Sequence, residues 1–344
     1  MGCRLSRGRD VGRLDETDVR IRPGRGSRPR SKLRPDHADA VPAVVVAVDR
    51  GRWTCVRGGD PDERVTAMKA RELGRTPVVV GDRVGLVGDV SGVTDALARI
   101  VRVEERTSVL RRTADDTDPY ERVVVANAEQ LLIVAALADP PPRTGLIDRC
   151  LVASYVGGLA PVLCLTKSDL AGPAALVERY AALDLPVLVT GPSAGVDEVR
   201  ARLAGRLSVL VGHSGVGKST LVNRLVPEAL RATGIVSGVG KGRHTSTSTV
   251  ALPLPPRDGE DGPPGWVVDT PGIRSFGLAH VTPDDVVAAF GDLAGAIAEC
   301  PRGCTHLGPP ADPECALDEL TGTAHRRAQS VRGLLEALND GIDR

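Results

Sequence analysis

One stretch of the sequence, 212–220, has the residue types and spacing of a phosphate-binding loop. It matches G-x-x-x-x-G-K-[ST] and lies between a predicted strand and a predicted helix, the context that this pattern requires; a glycine-rich turn that binds nothing is the alternative. Backbone N–H groups at the helix N-terminus would point at phosphate oxygens. Lys218 would act as the catalytic cation on the β- and γ-phosphates, and the Ser219 hydroxyl would bind Mg²⁺. The predicted contact residues are Gly212, His213, Ser214, Gly215, Val216, Gly217, Lys218, Ser219 and Thr220.

A second polar stretch, at 166–169, follows an apolar run that predicts a strand. It is close to N-K-x-D, in which the carboxylate accepts hydrogen bonds from N1 and N2 of guanine and the lysine stem lies along the base. Adenine offers no matching donors, so Asp169 would select guanine. Thr166 stands where the pattern has Asn, and taken alone the stretch could be a polar loop. The predicted base-contacting residues are Thr166, Lys167, Ser168 and Asp169, with Ser193 and Ala194 after the next strand.

Two further stretches could bind Mg²⁺ and the γ-phosphate. The sequence at 269–272 follows an apolar run and matches D-x-x-G. Asp269 would hold Mg²⁺ through water, and the Gly272 N–H would meet the γ-phosphate. Between the phosphate loop and Asp269, a hydroxyl of Thr245 or Thr247 would complete the Mg²⁺ shell.

The residue that orients the attacking water is less clearly marked. Many GTPases have Gln directly after D-x-x-G, but here that position is Ile273, which cannot orient water. His244 could take the role, or it could contact phosphate or RNA, or be a simple loop residue. We therefore expect slow basal turnover that a partner raises.

The order of these elements along the chain is base loop, base-support loop, phosphate loop, then the two stretches for Mg²⁺ and γ-phosphate. The usual order starts at the phosphate loop, so the pattern predicts a circularly permuted P-loop GTPase in the α/β class. Ligands of such folds bind at the carboxyl ends of parallel strands, where all these motifs fall. A P-loop ATPase or kinase is a second interpretation, against which Asp169 argues. A third is an RNA-binding, GTP-dependent switch with negligible turnover, which Ile273 permits.

A cysteine–histidine cluster lies near the C-terminus, with the spacing C-x₃-C-x-H-x₈-C. Three thiolates and one imidazole make a closed tetrahedral set for one structural Zn²⁺, with no open position for catalysis. Free reduced cysteines are the alternative. The predicted zinc ligands are Cys300, Cys304, His306 and Cys315.

Element patterns divide the chain into four parts. Residues 1–38 form a basic tail, which is either an electrostatic arm for nucleic acid or a solvated segment. Residues 39–115 contain short β-rich runs, 78–80 among them, and predict a small β-barrel, either of the oligonucleotide-binding (OB) type or generic. Residues 120–280 alternate strands with helices and form the predicted GTPase domain. Residues 281–344 are predicted to be a small helical zinc-binding domain.

Composition narrows the function classes further. Aromatic residues make up only 2% of the 344 residues, so platforms that stack RNA bases can hardly be built. Seven cysteines, an odd number, indicate a reducing compartment, and Cys55, Cys150 and Cys164 are expected in the core. No apolar run reaches the roughly 20 residues that span a bilayer. We expect a cytoplasmic protein without a membrane partner.

From about residue 40 to 341 the pattern resembles the ribosome small-subunit-dependent GTPase A family, the circularly permuted bacterial ribosome-biogenesis GTPases. The zinc spacing departs from the family's C-x₄-C-x-H-x₅-C, and a proline-rich loop at 308–313 would absorb the extra length. The resemblance is carried by the sequence at 81–84, 126–128, 166–169, 212–220, 240–245 and 269–277.

This resemblance implies an N-terminal OB barrel, a permuted GTPase domain and a C-terminal zinc domain. It implies GTP as substrate, Mg²⁺ and one structural Zn²⁺ as cofactors, and a role late in maturation of the small ribosomal subunit. The partners would be that subunit and its rRNA, with other assembly factors left open, and the ribosome would stimulate GTP hydrolysis. We expect a monomer.

Overall fold

The computed structural model describes most of the chain beyond the basic tail. Among the described residues, no helix is both long enough and apolar enough to cross a membrane. The described ranges are 37–113, 120–227, 249–254, 256, 262–270 and 277–339.

The first five strands form a closed barrel. Strand order is β1-β2-β3-β5-β4, and β4 returns to pair with β1. The β3–β5 pair is parallel, and the others are antiparallel. Aliphatic side chains such as Val45, Leu86 and Ile100 fill the interior. This closed five-stranded order is that of an OB barrel. The strands are β1 Val41–Asp49, β2 Arg52–Arg57, β3 Arg64–Lys69, β4 Arg83–Gly88 and β5 Ala98–Val103.

The apolar run at 78–80, predicted as a strand, is not one. Only Val80 makes a bridge, parallel to Val125. The backbone turns here because the Asp82 carboxylate accepts a hydrogen bond from the Val79 N–H at 2.8 Å, and Gly81 adopts a left-handed φ of 87°. The prediction failed because apolar composition does not reveal a turn capped by a buried carboxylate.

A hairpin and a polar joint connect the barrel to the large sheet. The hairpin strands, β6 Val109–Arg112 and β7 Arg122–Ala126, form a separate two-stranded sheet. Asn127, also left-handed, donates its amide to the Gly81 carbonyl oxygen at 2.9 Å, and its side-chain oxygen accepts from the Thr107 N–H at 2.9 Å. These buried and partly buried bonds link the barrel and the linker to the strand that begins at Gln130, so the motifs at 81–84 and 126–128 form the joint between domains.

The GTPase domain is built on six strands in the order β10-β9-β8-β11-β13-β12. All are parallel except β12 at the edge. All seven residues of β8 are buried, as expected for a strand covered on both faces. The strands are β8 Gln130–Ala136, β9 Ala160–Thr166, β10 Val187–Val189, β11 Leu207–Val211, β12 Val250–Leu254 and β13 Gly265–Asp269. The helices are α1 Thr144–Val156, α2 Ala174–Tyr180, α3 Val196–Leu203 and α4 Lys218–Leu225.

The barrel and this sheet are continuous, which the sequence did not predict. Ala47 of β1 lies opposite Val250 of β12, so the barrel strands and the GTPase strands form one 11-stranded sheet. Strand β12 directly follows residues 228–248, which contain the predicted Mg²⁺-binding threonines. The pairing therefore joins the barrel to strand β12 of the GTPase domain.

The three single cysteines lie in the core, as predicted. Cys55, Cys150 and Cys164 are each at most 1% exposed. Burial raises the pKa of each thiol to about 12. These cysteines therefore act as small apolar side chains rather than nucleophiles.

Three helices and two short 3₁₀ turns form the described part of the C-terminal domain. Helix α7 packs against α1 of the GTPase domain. Arg327 of α7 donates to the Asp184 carboxylate at 2.7 Å and to the Ala182 carbonyl oxygen at 3.0 Å, both beyond α2. The domain is thus anchored on the side of the GTPase sheet that α1 covers. The helices are α5 Pro283–Ala288, α6 Ala294–Ala298 and α7 Gly322–Asn339.

Candidate functional site

The phosphate loop lies between β11 and α4, where the sequence places it. Gly215 and Gly217 adopt left-handed φ values of 83° and 89°, which a side chain would strain. A Cβ on Gly212 would lie 2.4 Å from the Val134 carbonyl oxygen of β8, so the loop passes too close to the neighbouring strand for any other residue. The Ser219 side chain stands exposed in the first turn of α4.

Lys218 joins this loop to the end of β13. Its ammonium donates to the Asp269 carboxylate at 2.5 Å and to the Thr270 carbonyl oxygen at 2.8 Å, and the residue is 9% exposed. The Thr270 hydroxyl in turn donates to the Leu210 carbonyl oxygen of β11 at 2.7 Å. Two predicted elements separated by some fifty residues therefore meet at one carboxyl edge of the sheet. A cation and a carboxylate are thus paired at this edge, and the exposed Ser219 follows Lys218 directly in the chain.

Thr166 connects the base loop to the phosphate loop. Its hydroxyl donates to the Val216 carbonyl oxygen at 2.5 Å and lies 3.4 Å from the carbonyl oxygen of Ala135. The residue is 5% exposed. The threonine that replaces the usual asparagine thus makes a buried bond between two loops.

The rest of the base loop faces outward. The Ser168 N–H donates to the Thr190 carbonyl oxygen at 3.2 Å, which holds the base loop against the loop after β10. The exposed side chains at this edge are those of Ser168, Asp169, Ser193 and Ala194. The Asp169 carboxylate is therefore accessible to a ligand. The Lys167 ammonium donates to the carbonyl oxygen of Asp139, in the turn after β8.

Four predicted site residues lie outside the described residues, so the structure places none of them. They are His244, Thr245, Thr247 and Gly272.

The four predicted zinc ligands converge. Their ligand atoms all lie within 4.8 Å of one another, and Cys300 Sγ is 3.5 Å from His306 Nδ1. His306 has a left-handed φ of 62°, which turns the chain back towards the cysteines. Three thiols and an imidazole at this separation fit a tetrahedral Zn²⁺ ion.

Two residues that support this cluster were not predicted. Arg332 of α7 donates to the His306 carbonyl oxygen at 3.1 Å and to Asp318 at 2.6 Å. Asp312 accepts from the N–H groups of Thr305 and Leu307 at 3.0 and 3.1 Å, which folds the proline-rich loop around the cluster. A charged residue in a helix or loop gives no spacing signal, so sequence reasoning could not find either.

Comparison with known proteins identifies the family. The family model described as RsgA GTPase matches residues 103–279. A relative from Chlorobaculum parvum, named small ribosomal subunit biogenesis GTPase RsgA, is 33% identical over 316 residues, covering 88% of this chain and 99% of the relative. A relative of the same name from Pseudomonas syringae pv. syringae is 39% identical over 265 residues, covering 74% of this chain and 72% of the relative.

Two solved structures share the fold. The crystal structure of YjeQ from Thermotoga maritima superimposes with a TM-score of 0.63 at 25% identity, covering 87% of this chain and 98% of that one. YloQ, described as a circularly permuted GTPase, gives a TM-score of 0.61 at 21% identity, covering 90% and 98%. The permuted order read from the motifs is thus confirmed, and the chain belongs to the RsgA GTPase family, whose members hydrolyse GTP.

Proposed function

We propose that this GTPase couples GTP hydrolysis to late maturation of the small ribosomal subunit, and that it binds rRNA and is stimulated by the ribosome. The names of its relatives support the subunit as partner. The observation that carries the chemistry is the meeting of Lys218, Asp269 and the base loop at one edge of the sheet. Other assembly factors are open as partners, and we expect a cytoplasmic monomer.

Each predicted loop has one part of the nucleotide to bind. The Asp169 carboxylate would accept hydrogen bonds from guanine, with Lys167 along the base and the loop containing Ser193 beside it. Backbone N–H groups of the phosphate loop would bind the phosphates, at the N-terminus of α4. Lys218 would leave Asp269 for the β- and γ-phosphates, since a phosphate carries more negative charge than one carboxylate.

The donors near Lys218 also fit Mg²⁺, which prefers oxygen ligands and retains several waters. Ser219 would bind the ion directly, Asp269 would bind it through water, and Thr245 or Thr247 would complete the shell. The ion would neutralise charge on the transferred phosphoryl group. Ile273 leaves the orientation of water to another group, for which we propose His244 or a group from the ribosome.

The protein would bind the rRNA through charged side chains rather than through stacking of bases on aromatic side chains. The barrel exposes several arginine side chains, whereas only one tyrosine of the described residues, Tyr120, is prominently exposed. Arginines contact phosphates without reading base sequence, so we expect affinity to fall steeply with salt. The exposed barrel arginines are Arg50, Arg52, Arg71, Arg75, Arg83, Arg99 and Arg102.

We propose that the cysteine–histidine cluster holds one structural Zn²⁺. The C-terminal domain has few residues with which to build a core, so metal binding would supply part of its folding energy. Arg332 would hold the His306 backbone in place and fix α7 relative to the ion.

A change in nucleotide preference tests whether Asp169 recognises guanine. Asp169→Asn should weaken GTP binding and favour xanthosine triphosphate, because N2 of guanine is a donor and the corresponding O2 of xanthine is an acceptor. Retained guanine preference in this variant would refute the assignment. Phosphate release in the presence of subunits separates an enzyme from a switch: its absence would favour the alternative of an RNA-binding switch with negligible turnover.

A further inference from the structure

The turn that joins β8 to α1, at 137–143, lies beside the base loop. At its start, the Leu137 N–H donates to the Thr166 carbonyl oxygen at 2.9 Å. Further along, the Asp139 carbonyl oxygen accepts a hydrogen bond from the Lys167 ammonium. The turn therefore holds two consecutive residues of the base loop, one through its backbone and one through the end of its side chain.

The same turn also lies beside the phosphate loop. A Cβ placed on Gly215 would lie 3.6 Å from Pro140 Cδ, so Pro140 faces the space next to this glycine. The proline side chains and the phosphate loop enclose a small apolar cavity, lined in part by Pro140, Pro142, His213 and Val216. The turn thus contacts the base loop and borders a cavity that it shares with the phosphate loop.

Its sequence suits a rigid wall. Residues 140–142 are three consecutive prolines, each with a fixed φ and no N–H group. Such a segment offers carbonyl oxygens as hydrogen-bond acceptors. Because it has no N–H groups, it cannot donate hydrogen bonds to the phosphate oxygens. A lysine side chain has many rotamers, so a fixed acceptor at its end orders the stem before the base arrives.

We propose that residues 139–142, the proline turn, are a third wall of the nucleotide site. The turn positions Lys167 for the guanine base and lies next to Gly215 of the phosphate loop. This inference rests on the nucleotide site proposed above. The residues of the turn are positioning residues, because they act through Lys167.

A double-mutant cycle on the full-length protein tests this role, with the dissociation constant of a fluorescent GDP analogue as the readout. The variants are Lys167→Met, the turn variant Pro140→Gly/Pro141→Gly, and their combination. Pro61→Gly, in a barrel turn remote from the site, is the matched control for proline removal. Melting curves without nucleotide establish that each variant is folded, and if the turn variant is not, Pro140→Ala replaces it in the cycle.

If the turn acts through Lys167, each change should raise the Kd about tenfold or more, the value of one hydrogen bond to a charged group. The Kd of the combined variant should lie within about twofold of the Kd of the weaker-binding single variant, because both changes remove the same contact. Pro61→Gly should leave the Kd unchanged. An unchanged Kd in the turn variant, or effects that multiply in the combination, would overturn the proposal.

The Asp169→Asn variant distinguishes a failure of this inference from a failure of the nucleotide site on which it rests. If Asp169→Asn keeps guanine preference, the assignment of the base loop is wrong and the inference falls with it. If Asp169→Asn shifts the preference to xanthine while the turn variant binds normally, the nucleotide site stands and only the role of the turn is refuted.

Discussion

Replacing Thr166 by Val tests how the base loop and the phosphate loop hold each other. Valine has nearly the shape of threonine but no hydroxyl, so Thr166→Val removes the donor to the buried Val216 carbonyl oxygen, now at 2.5 Å, without opening a cavity. Leaving a buried acceptor without its donor costs about 1–3 kcal/mol. If that cost falls on the nucleotide-bound state, the Kd for GDP should rise about five- to a hundredfold.

The assay measures the affinity for a fluorescent GDP analogue and the melting temperature of the nucleotide-free protein. Thr166→Ser, which keeps the hydroxyl, should bind close to wild type. Thr66→Val, on an exposed position of the barrel strand β3, is the control for the same chemical change elsewhere. Normal binding and melting in Thr166→Val, or equal loss in Thr166→Ser, would refute the reasoning, because the hydroxyl would then not connect the loops.

Three further changes have expected outcomes. Gly81→Ala should destabilise the protein by more than about 4 kcal/mol, because its Cβ would lie 1.9 Å from a backbone carbonyl oxygen; Gly58→Ala, with open space around it, should cost about 1 kcal/mol in thermal or urea unfolding. Cys315→Ser should lose bound zinc by metal analysis and unfold the C-terminal domain by circular dichroism, while GDP affinity is retained. Hydrogen bonds from Thr282 hold the pKa of Asp285 below its usual range. The charged carboxylate therefore stabilises the fold at any pH above the pKa of Asp285 in the unfolded chain, and this stabilisation is lost as the pH falls through the lowered pKa of the folded state. Thr282→Ala should therefore lower the free energy of unfolding by about 1 kcal/mol at neutral pH and by less in acid, as measured by urea unfolding at both pH values.

The sequence was sufficient for the main loops because each motif directly follows a buried strand. Parallel strands end at one edge, so the stretches beginning at Thr166, Gly212 and Asp269 had to meet once the strands were identified. The convergence of the cysteine–histidine cluster could also be predicted, since Cys and His at short spacing are typical of residues that share one metal ion.

Long-range polar contacts were beyond sequence reasoning. Nothing local to Asn127 shows that it bonds to Gly81, forty-six residues earlier. Arg332 reads as one more helix residue until the fold places it against His306. The pairing of β1 with β12 depends on how two domains dock, which neither strand's pattern encodes.

The measurement that tests the central proposal most directly is GTP turnover with purified small subunits, with large subunits and with neither. We predict slow basal phosphate release, a strong increase with small subunits and little change with large ones, because the partner would complete a site whose Ile273 cannot orient water. Equal rates in all three conditions would contradict the account.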